Sequence, residues 1–167
     1  MKNITAVCPG SFDPVTVGHL DIIKRAAAMF EKVIVVVVTN PSKHPSFTAD
    51  ERVEMIRMAT ADIQNVMVAK YDGLLADYAA SVGARAIVKG LRAMSDFEYE
   101  FQMALTNKKL NPEVETVFLT TQAENMYLSS SMVKEIAGMG GDIRDFVPEV
   151  IHGIIIKRIE SERKKNL

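Results

Sequence analysis

The residues of this chain best suited to chemistry lie in a loop near its beginning. Residues 9–19, Pro-Gly-Ser-Phe-Asp-Pro-Val-Thr-Val-Gly-His, follow an apolar run at 4–8 and contain two prolines and two glycines. Because proline fixes φ and glycine admits positive φ, this composition predicts a tight turn between a strand and a helix. Free N–H groups and the positive end of the helix dipole favour phosphate binding at such a turn. We therefore expect a phosphate group of the ligand to bind here.

The same loop excludes two familiar nucleotide sites, because it has neither G-x-G-x-x-G nor G-x-x-x-x-G-K-[ST]. Instead it places His19 at the predicted start of the first helix, within Thr16-Val17-Gly18-His19. This segment resembles the [T/H]-x-G-H signature of the nucleotidylyltransferase superfamily. The alternative is a histidine that only caps the helix.

The elements that must position this loop alternate between strands and helices. The unbroken β-branched run at 33–38 predicts a central strand covered on both faces, which implies parallel neighbours. Capping boxes are predicted at Thr48–Glu51 and Ser95–Glu98, and a cap at Ser130 or Ser131. Pro148 is predicted to open the last helix. The predicted helices are 19–30, 48–60, 74–81, 95–110, 130–136 and one from 148, and the remaining strands are 4–8, 66–69, 86–88 and 116–120. The expected fold is a single α/β domain, residues 1–167, with a doubly wound five-stranded parallel sheet.

Basic side chains follow several of these strands at the carboxyl edge of the sheet, where α/β folds bind ligands. Lys43 follows the second strand, and Lys89 and Arg92 follow the fourth. Lys134 comes shortly after residues 125–131, which follow the fifth strand. Alternatively, Lys43 and Lys134 are solvent-exposed surface lysines with no role in binding. Convergence on one edge predicts a pocket for a phosphate-rich ligand.

Composition limits the remaining choices. The 167 residues carry 20 Lys and Arg against 21 Asp and Glu, so the formal net charge of −1 argues against a broad nucleic-acid footprint. The single Cys8 cannot form an intrachain disulfide and is expected to be a small buried hydrophobe. No apolar run approaches the ~18 residues of a membrane span. We expect a soluble, cytoplasmic protein without membrane or nucleic-acid partners.

Six motifs in register resemble those of the bacterial phosphopantetheine adenylyltransferases, over about residues 4–157. The motifs are residues 9–14, 16–19, 89–92, 96–100, 128–134, and 140–142 with 146–149. The resemblance implies a Rossmann-like nucleotidylyltransferase fold and transfer of the adenylyl group of ATP to 4′-phosphopantetheine, giving dephospho-CoA and pyrophosphate. It further implies a homohexamer and possible feedback binding of CoA.

The resemblance also implies residue roles. It makes His19, Ser11, Lys43 and Arg92 catalytic. It assigns the acceptor to Ser11, Lys43, Leu75 and Lys89. It assigns ATP to Ser11, Phe12, His19, Gly90, Leu91, Arg92, Glu100, Asn125, Met126, Tyr127, Leu128, Ser129, Ser130 and Ser131. This chain departs from the family pattern at Ser11, where Thr is frequent, at Lys89, where many members have Arg, and at Asn125, where some have an aromatic residue. Asp13, Asp96 and Asp142 are expected to stabilise turns and caps.

The chemistry follows from charge. A phosphate monoester has a second pKa of about 6 and is mostly a dianion at pH 7, so it can attack without a general base. Two anions must nevertheless meet, which calls for cations and oriented donors and no covalent enzyme intermediate. Mg²⁺ is expected on the ATP phosphates, with no metal site made of protein ligands alone.

Two other functions remain open from the sequence. A related nucleotidyltransferase could act on nicotinamide mononucleotide or a polyol phosphate, and its acceptor side at Lys43, Leu75 and Lys89 would differ. A non-catalytic ATP-binding regulator would bind ATP without releasing pyrophosphate. A tRNA synthetase, a member of the same superfamily, is excluded by the short chain.

Overall fold

A computed structural model describes residues 3–39 and 44–165, and it contains one five-stranded sheet. All four strand pairs are parallel, in the order β3-β2-β1-β4-β5, so the predicted α/β class and the doubly wound parallel sheet are confirmed. The strands are β1 Thr5–Gly10, β2 Lys32–Val38, β3 Val66–Tyr71, β4 Ala86–Leu91 and β5 Glu115–Thr120. The helices are α1 Val17–Met29, α2 Ala49–Ala59, α3 Leu75–Ser81, α4 Met94–Leu110, α5 Ser130–Gly138 and α6 Glu149–Lys165, with a 3₁₀ turn at Ala123–Asn125.

Strand β2 shows why the sheet is covered on both faces. Val33, Val35 and Val37 belong to the hydrophobic cluster that includes residues of α1, α2, α5 and α6. Ile34 and Val36 face the other way, into a smaller cluster with residues of α3. Because successive side chains in a strand point to opposite faces, an unbroken apolar run needs helices on both sides.

The sheet opens where its winding reverses, between β1 and β4. Strand β1 pairs with β2 along its whole length, from Thr5 to Gly10. It pairs with β4 only at Ala6 and Val7, so the two strands separate towards their carboxyl ends. Such a reversal point is where open α/β sheets bind ligands. Cys8 is the first residue of β1 beyond this pairing.

Several element ends differ from their predicted positions. The cap at Thr48 is confirmed, since its hydroxyl accepts from the Glu51 N–H while its own N–H donates to the Glu51 carboxylate. The predicted box at Ser95 is wrong, because α4 begins at Met94 after an N-cap at Ala93, which has no side chain able to cap.

The predicted cap of α5 at Ser130 or Ser131 is also wrong. The N-cap is Ser129, whose hydroxyl accepts from the Met132 N–H at 3.1 Å. Strand β4 extends to Leu91, three residues past its predicted end. Within the described residues, no helix combines the length and the apolar character that crossing a membrane requires.

Candidate active site

A cleft of about 1390 Å³ lies at the carboxyl edge of the sheet. It begins where β1 and β4 separate and extends towards the start of α3 and one side of α4. Most residues that the sequence assigned to a site line it. These are Ser11, Phe12, His19, Leu75, Lys89, Gly90, Arg92, Glu100, Asn125, Leu128, Ser129, Ser130, Ser131 and Lys134. Residues from all parts of the chain thus meet at the predicted edge.

Three assigned residues lie outside the lining of the cleft, and a fourth lies outside the described residues. Leu91, Met126 and Tyr127 lie outside its lining. The Tyr127 ring is about half exposed and packs edge-on against Phe146, with ring centroids 6.3 Å apart. Lys43 lies outside the described residues. The assignment of these four to ATP or acceptor stays a prediction, as does that of the residues that line the cleft.

His19 lies at the third position of α1, one turn after the N-cap Thr16. The Thr16 N–H donates to His19 Nδ1 at 3.0 Å, and the Thr16 hydroxyl lies 3.0 Å from the same nitrogen. In return, the His19 N–H donates to the Thr16 hydroxyl at 3.3 Å. Because Nδ1 accepts, the neutral ring carries its proton on Nε2. The histidine therefore caps the helix and still has one N–H to donate.

The charge of His19 follows from its surroundings. Burial, together with the positive charges of Arg92 and Lys89, lowers the pKa of His19 to about 4. The Phe12 ring contacts the imidazole edge-on, with centroids 5.1 Å apart. At pH 7 the ring is neutral, so it is a hydrogen-bond donor and a poor base.

Lys89 and Arg92, two cations that line the cleft, are each paired with a carboxylate. Lys89 Nζ lies 3.2 Å from Glu100 Oε1, and Arg92 Nε lies 3.3 Å from Asp96 Oδ2. Arg92 also donates to the Leu128 carbonyl at 2.9 Å. These contacts connect β4 to α4 and to the loop before α5, so Lys89 and Arg92 are held at the mouth of the β1–β4 opening.

Asp13 connects three parts of the cleft wall. Its carboxylate accepts the N–H groups of Ser46 and Phe47, each at 3.0 Å, and pairs with Lys134 Nζ at 2.7 Å. The prediction that Asp13 stabilises a turn is confirmed. Asp142 does the same within its own turn, where it accepts from the Arg144 N–H. Lys134 is therefore engaged with Asp13 and not simply exposed to solvent.

The start of α5 faces the loop after β1. The Ser130 hydroxyl donates to the Pro14 carbonyl at 2.7 Å, so the two helix N-termini α1 and α5 border the same cleft. Both ends present backbone N–H groups and a positive dipole, a combination that favours phosphate. Ser129 and Ser131 complete this wall.

Sequence reasoning missed two buried polar residues that line the cleft, Arg52 and Asn107. A usable signal existed for Arg52, because it shares the helical spacing of the buried Met55, Ile56 and Ala59. Asn107 is the only buried side chain among those described on α4, and the helix gives no apolar periodicity that would point to it.

Cys8 also lines the cleft, but its thiol is expected to be unreactive. Its side chain is 3 % exposed, and burial raises the pKa of the thiol to about 12 despite the nearby charge of Lys89. A thiol that does not ionise is a poor nucleophile. The prediction of a small buried hydrophobe is confirmed.

The fold and the cleft define a nucleotidyltransferase. A sequence model described as cytidylyltransferase-like matches residues 7–136, which include most of β1, all of β4 and the whole [T/H]-x-G-H segment. A crystal structure from Vibrio parahaemolyticus, provisionally described as a nicotinate-nucleotide adenylyltransferase, superposes with a TM-score of 0.66. It covers 98 % of this chain and 94 % of its own at 16 % identity, and therefore supports the fold alone.

Curated relatives identify the family more closely. A protein of Heliobacterium modesticaldum named phosphopantetheine adenylyltransferase is 62 % identical over 146 residues, 87 % of each chain. Proteins of the same name are 60 % identical in Caldanaerobacter subterraneus subsp. tengcongensis, over 87 % of this chain and 91 % of that one, and 50 % identical in Lachnoclostridium phytofermentans, over 95 % and 98 %. The chain belongs to the phosphopantetheine adenylyltransferase family, and it is an adenylyltransferase.

Proposed function

We propose that this chain transfers the adenylyl group of ATP to 4′-phosphopantetheine, releasing pyrophosphate and forming dephospho-CoA. The observation that carries the proposal is the neutral His19, whose Nε2–H is left to donate beside Lys89 and Arg92 at the reversal point of the sheet. The names of the curated relatives supply the two substrates.

The attack itself needs no base from the protein. The acceptor phosphate is mostly a dianion at pH 7, and His19, with a pKa of about 4, would remove a proton poorly. The remaining tasks are to bring two anions together in line and to stabilise charge on the α-phosphate. Lys89 and Arg92 supply positive charge for this from the end of β4.

His19 is proposed to donate from Nε2 to a non-bridging oxygen of the α-phosphate. Charge on that oxygen changes as the bond to pyrophosphate breaks, so the hydrogen bond strengthens in the transition state. Thr16 occupies Nδ1 and thereby keeps the proton on Nε2. Because the ring is neutral, it donates without first having to lose or gain a proton.

The ATP side of the cleft is proposed to be the wall formed by Gly90, Arg92 and the start of α5. Glycine at 90 lets α1 approach β4, since a Cβ there would lie 3.0 Å from Ile22 Cγ1. The free N–H groups at the start of α5 suit the β- and γ-phosphates, with Ser129 and Ser131 hydroxyls beside them.

The acceptor side is proposed to be the other end of the cleft, which continues beyond the phosphate-binding cations. Its lining there is mainly apolar, with Leu74, Leu75, Met103 and Leu110, and Asn107 provides an amide. A long arm with apolar stretches and amide groups fits this lining better than the compact nicotinamide mononucleotide would. CoA carries the same arm, so feedback binding of CoA would use the same wall.

Mg²⁺ is proposed to arrive on the phosphates of ATP. Within the described residues no three His, Cys, Asp or Glu side chains gather as a metal site. Three of the acidic residues that line the cleft, Asp13, Asp96 and Glu100, each face a cation. This donor set does not fit a metal held by protein ligands alone, so the protein's own residues carry the mechanism.

We also propose that the chain assembles with copies of itself, as a hexamer, in the cytoplasm. Support comes from α4, where Phe97, Phe101 and Leu105 form an exposed apolar row, here called the α4 row. Phe97 and Phe101 stack with centroids 5.5 Å apart. A contiguous exposed apolar surface of this kind marks an interface. Six chains of 18.5 kDa predict a mass of about 111 kDa.

The test is ATP-dependent release of pyrophosphate with four separate additions. These are 4′-phosphopantetheine, dephosphorylated pantetheine, nicotinamide mononucleotide, and buffer. The proposal expects turnover only with 4′-phosphopantetheine, because pantetheine lacks both the nucleophile and the phosphate. Turnover with the mononucleotide would assign a sister activity, and ATP binding with no release under any condition would indicate a non-catalytic ATP-binding protein.

A further inference from the structure

Arg52 is a buried cation at the inner wall of the cleft. It lies on the first turns of α2, and its residue is 4 % exposed. Its Nη1 donates to the Ser11 carbonyl at 2.8 Å, and its Nε donates to the Thr48 carbonyl at 3.3 Å. Arg52 therefore holds the backbone of the loop after β1 from a helix 41 residues further along the chain.

Arg52 differs from the other cations of the cleft in having no carboxylate partner among the described residues. Lys89, Arg92 and Lys134 each form an ion pair, whereas none of the ion pairs in that part of the chain includes Arg52. Residues 40–43, Asn-Pro-Ser-Lys, lie outside the described residues and contain no acidic side chain. Two neutral carbonyls satisfy only part of its five N–H donors.

Such a placement is unfavourable unless an anion joins it. Removing a charge from water without a counter-charge is expensive, and a cation near a helix N-terminus also opposes the helix dipole. A side chain whose sole role was to bind the Ser11 carbonyl would need one N–H donor and no positive charge. Arg52 lines the cleft, where a bound phosphate would supply the missing counter-charge.

We infer that Arg52 is a positioning residue for the phosphates, holding Ser11 in place and balancing its own charge only when a phosphate anion occupies the cleft. The inference rests on the proposed function in so far as ATP and a phosphorylated acceptor supply that anion. It predicts that the charge of Arg52 lowers the stability of the folded chain without ligand. With a bound phosphate, the same charge increases the affinity.

The probe is pyrophosphate, whose binding is measured by calorimetry and by the shift in melting temperature, with no turnover required. Arg52→Met should bind pyrophosphate about tenfold more weakly than the parent chain, while its melting temperature without ligand is unchanged or higher. Arg52→Lys should stay within about threefold of the parent chain, because it keeps the charge. The matched control is Arg57→Met on the same helix, where the side chain is 58 % exposed and pairs with Glu54; it should change neither quantity.

A purely structural Arg52 gives the opposite pattern. Arg52→Met would then melt at a lower temperature while the folded fraction bound pyrophosphate normally, and that result would overturn the inference. If Arg52→Met does not fold, Arg52→Gln and Arg52→Lys are compared instead, and equal losses of affinity in both would also overturn it. Because the readout is pyrophosphate binding, absence of adenylyl transfer to 4′-phosphopantetheine would contradict the proposed function and leave this comparison intact.

Discussion

The Lys89 ammonium lies 3.2 Å from the Glu100 carboxylate, and both side chains are mostly buried at the cleft. The family resemblance assigns Lys89 to the acceptor and Glu100 to ATP, yet in this structure they bind each other. If Lys89 binds the acceptor phosphate, as the resemblance implies, that phosphate competes with Glu100 for Lys89. Acceptor binding at Lys89 is then expected to depend on the side chain at position 100, which the resemblance assigns to ATP.

Glu100→Gln should consequently tighten acceptor binding. Removing the carboxylate frees Lys89, and a partly buried pair of this kind is worth about 1 kcal/mol, roughly fivefold in affinity. We expect the KM for 4′-phosphopantetheine to fall by up to that factor while the KM for ATP rises. Glu113→Gln, which removes an exposed partner of Arg85, should leave both unchanged. An acceptor KM that stays the same or increases in Glu100→Gln would contradict the competition.

Lys89→Met tests whether Lys89 itself binds the acceptor phosphate. If Lys89 holds the acceptor phosphate, losing its charge should raise the KM for 4′-phosphopantetheine about tenfold and the KM for ATP much less. The same direction is expected for Lys43→Ala. Lys108→Met, which removes an exposed partner of Glu115, is the control. Steady-state kinetics with each substrate varied would show equal effects on both KM values if the assignment is wrong.

The sequence predicted the sheet and most of the cleft lining because both depend on simple periodicities. The run at 33–38 can be satisfied only with cover on both faces, and parallel strands must bring Ser11, His19 and Lys89 to one edge. Helix starts were less accurate. Three consecutive serines each offer a capping hydroxyl, and only the backbone geometry selects Ser129.

The electrostatics of the site could not be predicted from spacing. The sequence predicts that Lys89, Arg92 and Lys134 converge on one edge. It does not predict their partners, because their long side chains have many rotamers. In the folded chain each of them pairs with a carboxylate. The charge of His19 does not follow from the sequence, because the positive end of the helix dipole disfavours protonation while nearby phosphates favour it. Burial of the ring and the nearby charges of Arg92 and Lys89 decide the question, and both depend on tertiary structure.

The α4 row predicts the effect of a charge at its centre. Phe101 is 46 % exposed between Phe97 and Leu105, and a lysine there would place a charge inside an apolar contact. Phe101→Lys should lower the mass measured by light scattering from about 111 kDa towards smaller species at micromolar concentration. Met139→Lys, a change at an exposed position on the end of α5, should not. A parent chain that is monomeric would defeat the assembly proposal directly.

The low pKa of His19 predicts its behaviour with pH. In the folded chain His19 resists protonation down to about pH 4, whereas in the unfolded chain it takes up a proton below about 6.5. Its contribution to stability is thus complete above pH 6.5 and is lost as the pH falls towards 4. The His19 Cε1–H resonance, assigned by its absence in His19→Gln, should not titrate between pH 8 and 5.

Urea-unfolded chain supplies the reference for that titration, because its histidines should show the ordinary midpoint. The acid limb of kcat/KM should then follow the acceptor phosphate, near pH 6, and not His19. A midpoint for folded His19 between 6 and 7 would contradict the neutral donor.

His19→Gln and His19→Ala together separate the two roles that the structure gives this histidine. Glutamine at the third position of a helix can still accept the Thr16 N–H, as in an ordinary capping box, so His19→Gln should melt near the parent temperature. Glutamine replaces the ring N–H by an amide N–H on a more flexible side chain, so His19→Gln should keep part of kcat. His19→Ala removes the donor altogether and should lower kcat by about 10²–10³. It should also lose about 1 kcal/mol of stability with the cap, while ATP affinity changes only a few-fold in both variants. Stability is read from urea unfolding and turnover from pyrophosphate release. If His19→Ala lost stability and kept near-parental kcat, the histidine would be a helix cap and nothing more.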